Sequence, residues 1–554
     1  MSILKTITVG GMLEQQARDY PDNDAVVYVD RGLRLSYKEF DRKCDDCAKA
    51  LIAMGVSKGD HVAIWATNCP EWLYVLFGTA KIGAVLVTVN TNYKVFELEY
   101  LLRQSDSMSL FMIDRFKDSS YIDIVNELIP ELKNSPKGNL NFQGLPFLKN
   151  IVCASENSYD GIYTFEEFME LGKDISDETL LQYKSKVDPH DVTNMQYTSG
   201  TTGFPKGVML THYNIVNNGF CIGECMRLTH KDRLCIPVPF FHCFGLVLAI
   251  MACLTHATTM VPVDYYSPTA VMRSIQAEKC TAVHGVPTMY IFMLEHPDFD
   301  KYDFSTLRTG IMAGSPCPIS VMREVMDKMN MKEITISYGQ TEASPVVTMT
   351  TPDDAVEDRV ATVGRHMPEI EVKIVDPETG KDLPPNTQGE IVARGYCVMR
   401  GYYKMEEATK NVIDKDGWLH TGDIGMMDER GYFKITGRIK DMIIRGGENI
   451  YPREIEELLY TNPKVQDVQV VAAPSKQLGE EVAAFIILKK DVAATEDEIR
   501  EFVRKNMAKH KVPKYVCFVD EFPMNAAGKI LKYKLREIVI EKFNLQSDDS
   551  IETA

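Results

Sequence analysis

The segment from Tyr197 to Gly207, Tyr-Thr-Ser-Gly-Thr-Thr-Gly-Phe-Pro-Lys-Gly, is the densest concentration of residues able to bind an anion. Its three glycines and four aliphatic hydroxyls lie within a few residues of Lys206. Such a loop can turn backbone N–H groups and hydroxyls towards phosphate oxygens, with the lysine as a point charge. A Walker A loop would need glycine at 205 and serine or threonine at 207, where the sequence has Pro205 and Gly207. The segment predicts a phosphate-binding loop of a different kind; a turn that serves packing alone is the alternative.

The elements around this loop are predicted to be alternating strands and helices. The strand-like run Val192–Gln196 leads into the loop, and β-branched runs such as His61–Trp65 alternate with amphipathic patterns such as Tyr37–Met54. This alternation indicates an α/β fold with at least partly parallel sheets. Within the last of these patterns, Cys44 and Cys47 fall on an apolar helical face, which favours core packing over redox or metal chemistry.

The amino-acid composition and net charge limit the classes of protein to which this chain can belong. The chain has 554 residues, 45% hydrophobic and 25% charged, which is ordinary for a globular protein and long enough for several domains. Its net charge of −17 argues against nucleic acid as a partner, because a phosphate backbone needs clustered cations. Thirteen cysteines without a secretory leader favour a reduced, cytoplasmic setting.

An integral membrane span is not expected. Residues 234–263 lack Asp, Glu, Lys and Arg, but their strongly apolar part covers only 246–254. That part is short of the roughly 20 residues that a span needs. The stretch is predicted to form a buried wall of a pocket, while peripheral membrane association and a homo-oligomer are left open.

A major domain boundary is predicted near Gly437. The N-terminal domain would cover residues 1–437, a hinge 438–440 and a small C-terminal domain 441–554. Nine basic residues against two acidic ones lie between 504 and 536 of this acidic chain. They form either a solvated face or a ligand-binding surface.

The chain resembles the adenylate-forming (AMP-binding) superfamily, which includes acyl-CoA synthetases, nonribosomal adenylation domains and beetle luciferases. The resemblance covers nearly the whole chain and begins with the loop at Tyr197–Gly207. It continues in order through Pro239–Gly245, Ala313–Ser315, Tyr338–Glu342, Gly389–Glu390, Thr421–Asp423, Gly437–Asp441 and Pro523–Ile530. It implies a large N-terminal domain of layered sheets and helices with a small, mobile α+β C-terminal domain.

The resemblance also implies a reaction, in which a carboxylate attacks the α-phosphate of ATP and a thiol then displaces AMP from the acyl-adenylate. The implied ligands of the ATP phosphates are Thr198, Ser199, Gly200, Thr201, Thr202, Gly203, Phe204, Pro205 and Lys206. Thr341 would donate to the α-phosphate and Glu342 would help bind Mg²⁺, although a Thr-Glu pair alone is more often a helix start. Tyr338 and the turn Gly314–Ser315 would enclose the adenine, and Gly339 is a further expected nucleotide-binding residue.

Residues from the second half of the chain complete the implied site. Asp423 would accept from the ribose hydroxyls with Arg438 nearby, a buried or N-capping aspartate being the alternative. Lys529 would bridge the carboxylate and the α-phosphate, where otherwise it would be one more lysine of a basic stretch. Rotation about Lys440 would then admit CoA along Gly446 and Gly447, where a Cβ atom would obstruct the thiol.

The acyl group is expected to be an uncharged chain. His242 takes the place where amino-acid-activating relatives carry an aspartate, and Phe241 and Phe244 beside it would form an apolar wall. A hydrogen-bonded core histidine is the alternative for His242. The stretch 196–365 is most similar to the medium-chain fatty acyl-CoA synthetase branch, which favours a short- to medium-chain or branched acid. A long-chain or aryl-CoA ligase, a carrier-loading enzyme, a luciferase-like oxidase and a degenerate binding protein are the alternatives.

Lys529→Ala is expected to abolish adenylate formation yet spare thioester formation from a supplied acyl-adenylate, because the lysine would act only where two anions meet. Carboxylate-dependent pyrophosphate exchange measures the first half-reaction, and CoA consumption with synthetic acyl-AMP the second. Loss of both half-reactions would contradict this division of labour.

Overall fold

A computed structural model describes residues 3–138, 140–198, 205–314, 317–438, 441–445, 448–475, 478–507, 509–524 and 530–545. The chain divides into two compact units. The first consists of residues 1–372 and 393–419, and the second of residues 373–392 and 420–554.

Two large mixed sheets form the framework of the first unit. In both, the inner strands are parallel. Antiparallel pairs lie towards both edges of the nine-stranded sheet and towards one edge of the eight-stranded sheet, whose other edge pair is parallel. The nine-stranded sheet has the spatial order Arg365–His366, Val346–Met349, Glu333–Gly339, Thr309–Met312, Ala282–Val283, Arg233–Ile236, Thr259–Pro262, Asp24–Tyr28, Leu33–Ser36. The eight-stranded sheet has the order Gly401–Tyr402, Lys206–Thr211, Val192–Thr198, Val85–Thr88, His61–Trp65, Ser109–Met112, Asn150–Cys153, Tyr163–Thr164. A two-stranded hairpin pairs Arg115–Phe116 with Ser119–Ser120.

Helices accompany both sheets. Inner strands such as Val85–Thr88 and Thr309–Met312 are buried at every position, as expected for parallel strands covered on both faces. The α-helices of this unit are Val9–Asp19, Tyr37–Ala53, Pro70–Ile82, Val95–Gln104, Tyr121–Leu128, Phe165–Leu171, Asp177–Lys184, His212–Met226, Ala252–Thr255, Pro268–Glu278, Pro287–Leu294, Ile319–Lys328, Val356–Ala361 and Glu406–Lys410. Short 3₁₀ helices cover Pro130–Asn134, Gly172–Asp174, Phe299–Lys301 and Thr341–Ala343.

The helix Tyr37–Ala53 shows how local sequence determines these elements. The Ser36 hydroxyl accepts from the Glu39 backbone N–H, and the Glu39 carboxylate accepts from the Ser36 backbone N–H. The two bonds together form a capping box. Cys44 and Cys47 on its inner face are fully buried, and all thirteen cysteines are free thiols. Core packing is therefore the role of this cysteine pair.

Most of the uncharged stretch 234–263 is buried, with Pro239, His242 and His256 partly exposed, while its role as a pocket wall stays a prediction. Its central part forms a π-helix, Phe244–Met251, in which every residue is buried. Among the described residues, no helix combines the length and apolar character needed to cross a bilayer.

The second unit contains two smaller sheets. One has the order Ile370–Val375, Gly389–Gly395, Leu419–Met427, Phe433–Arg438, and most of its residues lie in this unit. The other has the order Glu448–Ile450, Ile443–Arg445, Gly479–Leu488, Val465–Ser475, with Tyr515–Phe518 paired in parallel to Gly479–Leu488. Its helices are Pro452–Tyr460, Glu496–Asn506 and Lys532–Lys542, with a 3₁₀ turn Lys509–Lys511. The boundary at 437 and the hinge at 438–440 remain predictions.

A buried histidine connects the π-helix to the nine-stranded sheet. His284 Nε2 lies 3.0 Å from the carbonyl oxygen of Leu248, and its Nδ1 lies 3.1 Å from the backbone N–H of Ile311. These partners require a neutral ring that donates from Nε2 and accepts at Nδ1. Burial lowers the pKa of His284 from its ordinary 6.5 to about 4.

His284 should make the stability of the first unit depend on pH. The pKa of His284 is lower in the folded chain than in the unfolded chain. Its contribution to the free energy of unfolding is therefore complete above pH 6.5. This contribution, about 3 kcal/mol, is lost as the pH falls towards 4. His284→Gln should lower the thermal midpoint at pH 7. The midpoint of this variant should then decrease less on acidification than that of the wild type. The exposed His366 supplies the control, His366→Gln. An equal dependence of the thermal midpoint on pH in the wild type and in His284→Gln would contradict this account.

Candidate functional site

The predicted phosphate loop lies at the tip of a β-hairpin. Thr198 ends the strand Val192–Thr198, Lys206 begins the strand Lys206–Thr211, and the two residues pair across the hairpin. Pro205 is held by its carbonyl oxygen, which accepts from the Tyr100 hydroxyl at 3.0 Å. The other expected phosphate ligands lie outside the described residues: Ser199, Gly200, Thr201, Thr202, Gly203 and Phe204.

Two expected ATP-site residues of opposite charge meet at one tyrosine. The ammonium nitrogen of Lys206 lies 4.9 Å from the ring centroid of Tyr402. The Tyr402 hydroxyl donates to Glu342 Oε1 at 2.8 Å. Burial, and then the neighbouring Glu342 carboxylate, raises the pKa of Tyr402, so its phenol is protonated at neutral pH. A cation and a carboxylate thus both contact one buried side chain, next to the hairpin.

Thr341 connects this cluster with the expected acyl wall. Its hydroxyl oxygen lies 3.7 Å from the sulfur of Cys243, the residue between His242 and Phe244. Burial raises the pKa of Cys243 to about 12, so the group beside Thr341 is a neutral thiol. Thr341 begins a 3₁₀ turn and does not begin an α-helix. The structure therefore brings the expected α-phosphate ligand next to the expected acyl wall.

The residues of the expected acyl wall are largely apolar and buried. Phe241 and Phe244 are buried, and the π-helix continues the apolar surface. His242 Nδ1 accepts from the backbone N–H of Phe244 at 3.2 Å, so part of its ring supports the local turn. This bond agrees with the alternative of a hydrogen-bonded histidine.

The expected adenine contacts follow two neighbouring parallel strands. Gly314 comes after Thr309–Met312, and Tyr338 and Gly339 end Glu333–Gly339, so all three lie at the carboxyl edge where α/β sheets bind ligands. Gly314 has a φ of +88°, which favours glycine. A Cβ on Gly339 would lie 1.8 Å from the Pro345 carbonyl oxygen, so only glycine fits there. Ser315 lies outside the described residues.

Asp423 lies in the second unit, where the Gly389–Glu390 motif has a structural role. Glu390 Oε1 accepts from the Gly422 N–H at 2.9 Å, and its Oε2 lies 2.8 Å from His420 Nδ1. Asp423 is buried inside the strand Leu419–Met427 and pairs through its backbone with Arg438, which excludes a helix N-cap. Glu390 thus holds the turn that presents Asp423.

The remaining expected positions can only stay predictions. Lys440, Gly446, Gly447 and Lys529 lie outside the described residues. Several members of the basic C-terminal stretch pair with carboxylates: Lys511 with Glu454, Lys514 with Glu481, Lys532 with Glu456 and Arg504 with Glu501. These pairs support the solvated-face interpretation for those residues.

Tyr402, Tyr100 and Cys243 were not among the predicted site residues. The only sequence signal for Tyr402 is its position after the Gly389–Glu390 motif in an aromatic Gly-Tyr-Tyr run. Its contacts with residues 60 and almost 200 positions away depend on strand pairing, which the run itself does not reveal.

Comparison with known proteins identifies the class. Residues 13–403 match the family AMP-binding enzyme, and residues 454–529 match the AMP-binding enzyme C-terminal domain. The chain belongs to the AMP-binding enzymes, which confirms the resemblance seen in the motifs and the α/β fold.

Individual relatives are similar over nearly their full length. YngI of Bacillus subtilis (strain 168), whose name gives it provisionally as an acyl-CoA synthetase, is 56% identical over 98% of both chains. The mitochondrial medium-chain acyl-CoA ligase ACSF2 of Danio rerio is 42% identical over 96% of this chain and 88% of its own. A crystal structure of the anthranilate CoA ligase AuaEII in complex with anthranoyl-AMP superposes with a TM-score of 0.86 at 25% identity, covering 98% of each chain.

Lys206→Met should raise the KM for ATP about 10- to 100-fold, because a charge-assisted contact with phosphate would be lost while the apolar stem is kept. Steady-state kinetics at varied ATP measures the effect. Lys404→Met is the matched control, since Lys404 also lies over a tyrosine ring, that of Tyr403, but is exposed and pairs with Asp106. A KM for ATP that changes equally in both variants would contradict the assignment.

Proposed function

We propose that this protein is an ATP-dependent acyl-CoA synthetase, an acid–thiol ligase that activates a short- to medium-chain or branched fatty carboxylate as acyl-AMP. The observation that carries the proposal is the meeting of Lys206 and Glu342 at Tyr402, beside a glycine- and hydroxyl-rich hairpin. The full-length similarity to acyl-CoA synthetases supports it.

The first half-reaction joins two anions. A carboxylate oxygen of the acid attacks the α-phosphorus of ATP, the bond from the α-phosphorus to the bridging oxygen breaks, and pyrophosphate leaves. Lys206 and the hairpin would hold the departing phosphates, and Thr341 would donate to the α-phosphate. Cys243 places the Thr341 hydroxyl next to the apolar wall, where the carboxylate end of the acid would lie.

Glu342 is the residue that fits a magnesium ion. Mg²⁺ prefers oxygen ligands and is commonly held by one or two carboxylates together with substrate phosphates. The described residues contain no cluster of three or more His, Cys, Asp or Glu side chains able to hold a metal, so a single carboxylate beside phosphates is the arrangement that fits. The ion would neutralise charge on the ATP phosphates.

The second half-reaction transfers the acyl group to sulfur. The CoA thiolate attacks the acyl carbonyl carbon, the bond to the AMP oxygen breaks, and AMP leaves. Lys529 would serve the first step, rotation about Lys440 would follow it, and Gly446 and Gly447 would line the path of the thiol. A cytoplasmic location and a place in fatty-acid metabolism are part of this proposal, and the similarity to acyl-CoA synthetases supports the metabolic role.

The apolar wall favours a fatty acid. The π-helix Phe244–Met251 contains only apolar residues, and no carboxylate side chain lies within 239–251 to pair with a substrate ammonium. This composition supports an alkyl chain over an amino acid. An aryl acid is the second candidate, because AuaEII, a structural relative, is an anthranilate CoA ligase.

Pyrophosphate release from ATP over a panel of C2–C18, branched and aromatic carboxylates, each with and without CoA, tests the proposal. We expect sustained release that needs CoA and is fastest with a short- or medium-chain acid. The matching primary alcohols serve as controls, since they lack the carboxylate.

Each other outcome has a separate meaning. A single burst of pyrophosphate release that CoA does not affect would indicate that the enzyme loads a carrier protein. The fastest release with aryl or long-chain acids would overturn only the proposed class of acyl substrate. No release with any acid would overturn the proposed function.

A further inference from the structure

The side chain of Tyr402 contacts both charged groups of the proposed ATP site. Its ring lies under the Lys206 ammonium and its hydroxyl donates to Glu342. The side chain is buried, with the residue only 7% exposed. A buried ring with two defined contacts has one orientation, so the separation of the two charges is set by one residue.

The backbone around Tyr402 holds the same two partners. The Tyr402 N–H donates to Thr409 Oγ1 at 2.9 Å, and Tyr402 pairs with Val208 in the strand that begins at Lys206. Three residues earlier, the Met399 N–H donates to the Glu342 carbonyl oxygen at 2.9 Å. The segment 399–402 therefore fixes the backbone of the carboxylate and the strand of the lysine.

The chemistry of the two contacts suits a site that must keep its charges. A cation over an aromatic ring is attracted by the ring quadrupole without losing its charge, whereas a carboxylate partner would compete with phosphate for the lysine. A phenol that donates to one carboxylate oxygen leaves the other oxygen able to bind a metal. Outer hydrogen-bond partners of this kind orient metal ligands in many proteins.

We propose that Tyr402 is a positioning residue that orients the Glu342 carboxylate and the Lys206 ammonium together for magnesium-bound ATP. The inference rests on the proposed function, because it assigns the two charged groups to ATP. In this proposal Tyr402 acts through these two residues, with which it is in contact.

Three variants separate the contacts. Tyr402→Phe removes only the hydrogen bond to Glu342, and Tyr402→Leu also removes the ring under Lys206. Tyr403→Phe is the matched control, because the Tyr403 hydroxyl also donates to a carboxylate, Asp106 Oδ2 at 2.9 Å. ATP binding is measured by calorimetry at varied Mg²⁺, together with pyrophosphate release and the thermal midpoint of each variant.

Tyr402→Phe should raise the Mg²⁺ concentration for half-maximal ATP binding about tenfold, with kcat at saturating Mg²⁺ within about twofold of wild type. Tyr402→Leu should also raise the KM for ATP, because the lysine loses its ring. Tyr403→Phe should match the wild type in both. The thermal midpoint of Tyr402→Phe should stay close to that of the wild type.

A wild-type Mg²⁺ dependence in Tyr402→Phe would overturn the inference. So would a fall in kcat and thermal midpoint together at every Mg²⁺ concentration, which indicates packing alone. If the wild type binds ATP with Mg²⁺ but activates no acid, the proposed function fails and the binding titrations still decide the role of Tyr402. If the wild type does not bind ATP, both proposals fail.

Discussion

A chain with a net charge of −17 can bind a polyanion only where local structure holds a few cations in place. Here that placement depends on the pairing of the edge strand Gly401–Tyr402 with Lys206–Thr211. The pairing brings the Tyr402 ring beneath Lys206 and its hydroxyl to Glu342. The strand of the hairpin, the lysine and the carboxylate are thus all in contact with one tyrosine of the first unit.

Repulsion between two anions in the proposed reaction gives a reason for the burial around Thr341. A carboxylate and a phosphate repel each other, so donors fixed in advance in a water-poor site are worth more than donors that must reorganise. Thr341 lies against the neutral thiol of Cys243, at the border between the proposed phosphate site and the apolar π-helix. In the proposed function, the apolar stretch would provide a wall for the alkyl chain and a dry boundary for the reacting groups.

Not every residue of a recurrent motif contacts a ligand. Glu390 bonds the turn at Gly422 that precedes Asp423, which makes it a support for the proposed ribose ligand. Lys511 and Lys532 of the basic stretch pair with Glu454 and Glu456. These ion pairs contribute to the structure of the second unit. The paired lysines are therefore less available to bind the phosphates of a ligand.

The sequence by itself determined the local features, since these depend on neighbouring residues. The helix beginning at Tyr37 and the strand leading to Thr198 were predicted to within a few residues, because hydrophobic periodicity is a local property of the chain. The ordered motifs determined the family. The boundary at 437 and the roles of residues such as Lys529 stay predictions, since they concern residues or motions that the structure does not describe.

Only the tertiary structure decided which distant residues meet. Tyr402 lies 60 residues from Glu342, and Cys243 lies 98 residues from Thr341. Neither pair has a periodic or spacing signal, because the order of strands in a sheet and the register of an edge strand result from the packing of the whole unit. The chemistry of the site was therefore readable in the sequence, while its supporting contacts required the fold.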